Sequence, residues 1–134
     1  MAATFHLEII TPTHVFDEGQ VDYLRAPGAD GLFGVKAGHT KAIMALTTGE
    51  IKVVAGGNDK RYACTQGYAE ITGNHVQLLV ETAEHKEDID VARAEKALER
   101  AKENLAHRQE ELVDEERAVQ AMERALNRLK VARK

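Results

Sequence analysis

Glu84-His85-Lys86-Glu87-Asp88-Ile89-Asp90-Val91-Ala92-Arg93-Ala94 is the stretch where this chain changes physical character. Upstream of it glycine, threonine and valine dominate; downstream there is neither glycine nor proline. Glu87, Asp88 and Asp90 crowd the point where the second half begins. The exposed N–H groups and the positive dipole end of a helix favour negative charge there, and either aspartate can serve as N-cap. The spacing therefore predicts a helix starting at this joint, with a compact β domain before it and a helical arm after it.

The chain has 134 residues, and the break in composition divides it into a β domain, 1–85, and a two-helix appendage, 86–134. A β domain of that size holds a core without disulfides. The one cysteine, Cys64, lies in the apolar run Tyr62-Ala63-Cys64 and reads as a small buried side chain. Such usage fits a reducing compartment. The longest apolar run, Ala42-Ile43-Met44-Ala45-Leu46, is too short to span a bilayer, and the N-terminus lacks the charged-then-apolar layout of a signal peptide, so a soluble cytoplasmic chain is expected. A net charge of −4 argues against a general nucleic-acid binder.

Phe5-His6-Leu7-Glu8-Ile9 alternates apolar and polar residues, and Thr11-Pro12-Thr13 ends it: a strand and a turn. Short strands are expected again at Val15-Phe16, Gln20 to Ala26, Leu32 to Val35, Ala42 to Leu46, Glu50 to Ala55, Lys60 to Thr65, Tyr68 to Thr72 and His75 to Glu81. A glycine stands in nearly every gap, Asp17-Glu18-Gly19 and Gly56-Gly57-Asn58-Asp59 among them. That pattern predicts an antiparallel sandwich or barrel.

Past the joint the period becomes helical. Ala94, Ala97, Leu98, Ala101 and Leu105 recur at spacings of three and four, and so do Ala118, Met122, Ala125, Leu126 and Leu129. Alanine supplies so many of these positions that the stripe is narrow and suits close but weakly stabilised packing. Between the stripes, Gln109 to Glu116 carries five carboxylates in eight residues. One continuous helix and a hairpin with a second cap at Asp114 both remain open. The overall class is α+β, an N-terminal antiparallel β-sandwich followed by a C-terminal helical hairpin able to extend.

Several chemistries are set aside. Gly28-Ala29-Asp30-Gly31-Leu32-Phe33-Gly34 has the wrong spacing for a dinucleotide fingerprint, and no Gly-Lys-Ser/Thr occurs. The six histidines stand singly, with no partner at metal-ligand spacing. No nucleophile–base set can be singled out, so no catalytic or metal site is expected.

The arginines carry more information. From Arg117 to Lys134 six basic residues face the single acid Glu123. Arg124 and Arg128 share a helix face, as do Arg93 and Arg100, and neither Arg124 nor Arg128 has a carboxylate three or four residues away. If the arm folds back with Arg93 opposite Arg128 and Arg100 opposite Arg124, the fold falls near residue 111, inside the acidic stretch. Four guanidinium groups then converge on what would be an anion site; the bland alternative is a solvated basic face.

With these residues the chain resembles the epsilon subunits of bacterial F-type ATP synthase, of the ATP-binding type, over essentially its whole length. The resemblance rests on Pro27-Gly28 with Gly31-Leu32-Phe33-Gly34-Val35, Gly38-His39 and Gln66-Gly67-Tyr68-Ala69-Glu70 in the β half. In the arm it rests on Ile89-Asp90-Val91-Ala92-Arg93-Ala94, similar to an I/L-D-x-x-R-A motif, with Arg100, Arg124 and Arg128 at matching offsets. Lys41-Ala42-Ile43, where the family usually has Pro-Leu-Leu, and Gln66, where it has glycine, depart from the pattern.

The resemblance implies a non-catalytic rotor subunit at the cytoplasmic face of the bacterial inner membrane, peripheral and not inserted. It implies a sandwich that attaches to the gamma subunit and the ring of c subunits, with Ala29, Asp30, Gly31, Leu32, Gly38 and His39 as candidate contacts. It also implies an arm that permits turnover when folded and blocks ATP hydrolysis when extended toward the alpha and beta subunits of the catalytic head. ATP would bind the folded form as a regulatory ligand, with magnesium left open. Arg93, Arg100, Arg124 and Arg128 would neutralise the triphosphate, and Ile89 would pack on adenine. Glu84 would supply a polar contact, and Asp90 would cap the helix or accept from base or ribose. The competing reading is a β-sandwich scaffold with a permanent helical docking arm and no nucleotide.

Overall fold

The computed structural model describes residues 3–107 and 114–134. The chain forms two compact units, Met1–His85 and Lys86–Lys134.

The first unit is a sheet of ten strands: β1 (Phe5–Ile10), β2 (Val15–Val21), β3 (Tyr23–Gly28), β4 (Gly31–Val35), β5 (Ala42–Leu46), β6 (Gly49–Ala55), β7 (Asn58–Cys64), β8 (Gly67–Thr72), β9 (His75–Val80) and β10 (Ala83–His85). Their order is β10-β7-β6-β3-β5-β8-β9-β1-β2, with β4 beside β3. β3 joins the two wings, pairing with β6 through Tyr23–Arg25 and with β5 at Gly28. The wings close over one core, in which Leu7, Ile9, Leu24, Ile51, Val53, Ile71, Val76 and Leu78 are all buried. Alternation supplies it: in β1 Phe5, Leu7 and Ile9 point inward while His6, Glu8 and Ile10 do not.

The structure corrects the sequence reading at four places in this unit. Asp17-Glu18-Gly19 is no turn; it lies inside β2. Leu7 pairs with Gly19 and Glu8 with Asp17, so Glu18 is the extra residue of a bulge, and Gly19 has φ +66°, a conformation glycine adopts without strain. The bulge turns the Glu18 side chain inward until it is only 6% exposed, where it accepts hydrogen bonds from the Tyr62 hydroxyl and from Lys60 Nζ. Secondly, β1 and β9 pair in parallel, in a sheet otherwise antiparallel. Alternation has the same period in both arrangements, so the sequence pattern does not separate them. Thirdly, the gap after Ala55 narrows to Gly56-Gly57, and β7 begins at Asn58. Lastly, a tenth strand, Ala83–His85, pairs with β7 and carries the sheet to the joint.

Gly67 opens β8 where no side chain fits. A Cβ there would stand 1.9 Å from the Leu79 carbonyl oxygen and 2.7 Å from Val80 Cα.

The second unit begins with a single 3-10 turn, Lys86–Asp88, followed by α1 (Val91–Ala106) and α2 (Glu115–Ala132). Asp90 is the N-cap of α1, its carboxylate accepting the Arg93 backbone N–H at 3.0 Å. Asp114 caps α2 in the same way through the Arg117 N–H at 3.1 Å. Of the two arrangements left open by the sequence, the structure has the two separately capped helices. Ala94 and Ala101 of α1 and Ala118, Ala125, Leu129 and Val131 of α2 are buried. Leu126, expected in the stripe, is instead 46% exposed. The fold near residue 111 and most of the acidic stretch lie outside the described residues.

Candidate functional site

The helical period sorts the arm's cations. On α1, Arg93, Arg100 and Asn104 fall seven and four residues apart and share one flank; on α2, Arg117, Arg124 and Arg128 do the same. Arg100 and Asn104 line a cleft of about 390 Å³ together with Asp114, Arg117, Ala118, Ala121 and Arg124. The two arginine flanks therefore open toward the same side of the hairpin, and the expected meeting of Arg100 with Arg124 occurs. Arg93 and Arg128 lie outside that cleft, toward the opposite end of the hairpin. Arg93, Arg100 and Arg124 are exposed and Arg128 is half-buried. Among the described residues no ion pair holds the guanidinium of Arg93, Arg100, Arg117 or Arg124.

The other expected ATP contacts are distributed along the chain. Ile89 is buried just before α1, and Asp90 is occupied as its cap. Glu84 is half-buried in β10, where it pairs with Ala63, and belongs to the sheet unit. Arg117 and Asn104 were not singled out as site residues. The signal was available: each repeats the spacing of an arginine already identified on its own helix.

The rotor-contact residues fall in two places. Ala29, Asp30, Gly31 and Leu32 make the tip of the β3–β4 hairpin, all exposed, with Leu32 at 68%. Gly38 and His39 follow the other end of β4; there His39 Nδ1 lies 2.7 Å from the Thr40 carbonyl.

A third surface escaped the sequence reading. Ala45, Tyr68, Leu79, Ile10 and Val15 are successive cross-strand partners on β5, β8, β9, β1 and β2, so they form one apolar row across five strands. Tyr68 is 60% exposed, and Ile43 beside the row is 76% exposed. A shallow groove of about 620 Å³ runs along it, lined by Ile10, Pro12, Tyr68 and Leu79 among others. Large apolar groups left in water in a contiguous row mark a docking face. The clue in the sequence was the unbroken apolar run of β5, whose alternate members Ile43 and Ala45 have no place in the core.

Four residues along β1 and β9 from Ile10 and Leu79, beyond the Glu8–Gln77 pair, lie two stacked histidines. His6 and His75 have ring centroids 5.0 Å apart, with His6 Nε2 2.7 Å from Asp17 and His75 Nε2 2.7 Å from Glu8. The His6 hydrogen bond, helped by the Gly19 backbone N–H, holds the Asp17 carboxyl below its ordinary value. Cys64 is buried, and loss of solvation pushes its thiol up to about 12, which fits packing and not nucleophilic chemistry. Among the described residues no cluster of three or more histidine, cysteine or carboxylate groups is arranged to hold a metal ion.

Comparison with known proteins agrees with this division of the chain. Residues 4–86 match the family model of the ATP synthase delta/epsilon chain β-sandwich domain, and residues 87–133 match that of its long α-helix domain. The ATP synthase epsilon chain of Nitratidesulfovibrio vulgaris is 43% identical over 131 residues, covering 98% of this chain and 97% of that one. That of Syntrophomonas wolfei is 37% identical over 133 residues, covering 98% and 96%. Among solved structures, a chain of the Euglena gracilis mitochondrial ATP synthase OSCP/F1/c-ring assembly superposes with a TM-score of 0.76 at 25% identity, covering 98% of this chain and 80% of that one. A chain of the Tetrahymena thermophila central stalk and c-ring shares the fold, with a TM-score of 0.56 at 11% identity over 65% and 70%.

Proposed function

The chain belongs to the delta/epsilon-chain family of ATP synthases, and from that premise we propose that it is the epsilon-type subunit of a bacterial F-type enzyme, a non-catalytic part of the rotor whose arm regulates ATP hydrolysis. One observation carries the reading. A sheet domain and a helical domain match in the family's order from residue 4 to residue 133, and bacterial relatives named epsilon chain match over nearly the whole length.

In this reading the sheet unit holds the gamma subunit and the c-ring. The apolar row through Tyr68 and Leu79 supports the gamma contact, and the exposed tip Ala29–Leu32 with Gly38-His39 supports the ring contact. No helix of the described chain is long and apolar enough to cross a membrane, in keeping with a peripheral place at the cytoplasmic face. The hairpin is the state that permits turnover. Its arginine flanks bind ATP, with or without magnesium, and the extended arm reaches the alpha and beta subunits. ATP acts here as a signal: at a hundred times its dissociation constant it favours the folded arm by about 2.7 kcal/mol.

The test is to reconstitute the enzyme stripped of this subunit with the full chain or with a chain ending at Glu87. Both should restore coupling through gamma, and the full chain alone should suppress ATP hydrolysis, with ATP relieving the suppression. Equal suppression by the truncated chain, or failure of either to bind gamma, overturns the division of labour. Suppression that ATP does not relieve returns the arm to a permanent docking element.

A further inference from the structure

We infer that β10 is a detachable strap: seated on Tyr62 and hinged at Thr82, Ala83–His85 lifts from β7 and adds its three residues to the tether of the helical arm. The inference rests on the reading of the arm as a regulator that extends, and it names the element that gives the arm its reach.

Three observations converge. β10 is the shortest of the strands, stands at one end of the strand order and is paired with β7, and none of its residues is fully buried. Edge segments with so little burial open locally at far lower cost than the interior of a sheet. Immediately before it the chain is pinned. The Thr82 N–H donates to the Thr65 hydroxyl at 3.0 Å, the two threonine hydroxyls are 2.9 Å apart, and the Thr65 N–H donates to the Thr82 carbonyl at 3.1 Å. A strand that lifts therefore hinges at Thr82.

The third observation is the seat. His85 is the register partner of Tyr62, and the two rings meet edge-on with centroids 5.2 Å apart. Tyr62 is held in turn from β2, the opposite end of the strand order: the Phe16 ring meets it edge-on at 5.3 Å, and the Glu18 carboxylate accepts its hydroxyl. Both ends of the sheet thus converge on one tyrosine, and the bulge that turns Glu18 inward fixes the ring on which His85 rests. Beyond His85 the chain runs straight into the 3-10 turn that begins the second unit. Three lifted residues at about 3.3 Å each lengthen the tether by about 10 Å, close to two turns of helix.

Two measurements on the full chain test the strap. The first is amide hydrogen exchange in wild type and His85→Ala, with the thermal midpoint as a check on the fold. In wild type the amides of residues 83–85 should exchange at least about tenfold faster than those of Tyr62 to Cys64, which β6 also holds. His85→Ala should speed residues 83–85 a further two- to tenfold, roughly the contribution of one edge-on aromatic contact, and leave β6 unchanged. Equal rates in β10 and β7, or a His85→Ala effect shared by β6, overturn the strap.

The second measurement locks it. Ala83 faces Cys64 in the register and packs against the same core, at a spacing that a disulfide spans. Ala83→Cys can therefore be oxidised in the isolated chain, the cross-link confirmed by mass, and added to the enzyme stripped of this subunit, with the wild type as control. The reduced form should suppress ATP hydrolysis as the wild type does, and the oxidised form should lose most of that suppression while still binding gamma. Equal suppression by the oxidised and reduced forms overturns the strap and leaves the arm reading intact. Absence of suppression by the wild type overturns the arm reading and the strap's role with it.

Discussion

Glu95 on α1 and Arg133 on α2 meet across the open end of the hairpin, carboxylate to guanidinium at 3.0 Å. Both side chains are more than half exposed, at 55% and 61%, so water screens the pair and its contribution is about 0.2–1 kcal/mol. It fixes which residues face each other more than it holds the helices together. Glu95→Gln should therefore raise amide exchange in the last turns of α2 only a few-fold. A hundredfold rise would make this pair the principal clasp of the arm.

Gly67→Ala tests the packing of the sheet unit. The new methyl group would fall on the Leu79 carbonyl and Val80 Cα, both backbone atoms of the neighbouring strand, so relief requires β8 and β9 to part. A loss of about 2–3 kcal/mol is expected. For a domain of this size that lowers the thermal midpoint by about 10–20 °C. An unchanged midpoint would show that the Gly67–Val80 register is not kept in solution.

Asp17 tests the acid limb of stability. Its folded pKa is depressed, first by the His6 side chain and then by the Gly19 N–H. Its contribution is thus fully present above the ordinary carboxylate value near 3.9 and is lost as pH falls through the lower folded value. Urea midpoints measured from pH 6 down to pH 2 should fall more steeply below about pH 4 in wild type than in Asp17→Asn. Parallel curves would mean that the His6–Asp17 contact does not persist in solution.

The contrast between what was and was not legible in the sequence has physical causes. Strand alternation in Phe5 to Ile9 and the helical period from Ala94 onward follow from burial, which leaves a mark on every residue. The bulge at Glu18 left no such mark, because Asp-Glu-Gly is also the composition of a turn; what distinguishes them is the pairing of Leu7 with Gly19 across the sheet. The parallel β1–β9 pair was hidden for the same reason, being a relation between distant segments. Arg100 and Arg124 were found together because two helix faces and one fold-back decide their meeting. The apolar row at Tyr68 was missed because its members come from five strands and touch only through register. Leu126 was misplaced because a three- or four-residue spacing tolerates a position at the edge of the buried stripe.

The arm's equilibrium can be read within the helical unit alone. Lys96 lines a groove of about 440 Å³ with Leu129 and Arg133, so residue 96 lies beside the part of α2 that carries residue 130. In one continuous helix the thirty-four steps from residue 96 to residue 130 would span about 50 Å at 1.5 Å each. Cysteines placed by Lys96→Cys and Lys130→Cys can carry a donor and an acceptor dye, while the native Cys64, buried with its thiol pushed up to about 12, stays unlabelled. ATP should shift the distance distribution toward the short population, and an evenly balanced arm should become almost wholly compact if the nucleotide favours it by about 2.7 kcal/mol. Arg128→Gln keeps much of the half-buried stem and removes the charge. It should weaken the ATP response by about 1.5–3 kcal/mol, so that roughly ten to a hundred times more ATP is needed for the same shift. An identical response in wild type and Arg128→Gln would mean that the basic flank of α2 serves the catalytic head and not the nucleotide.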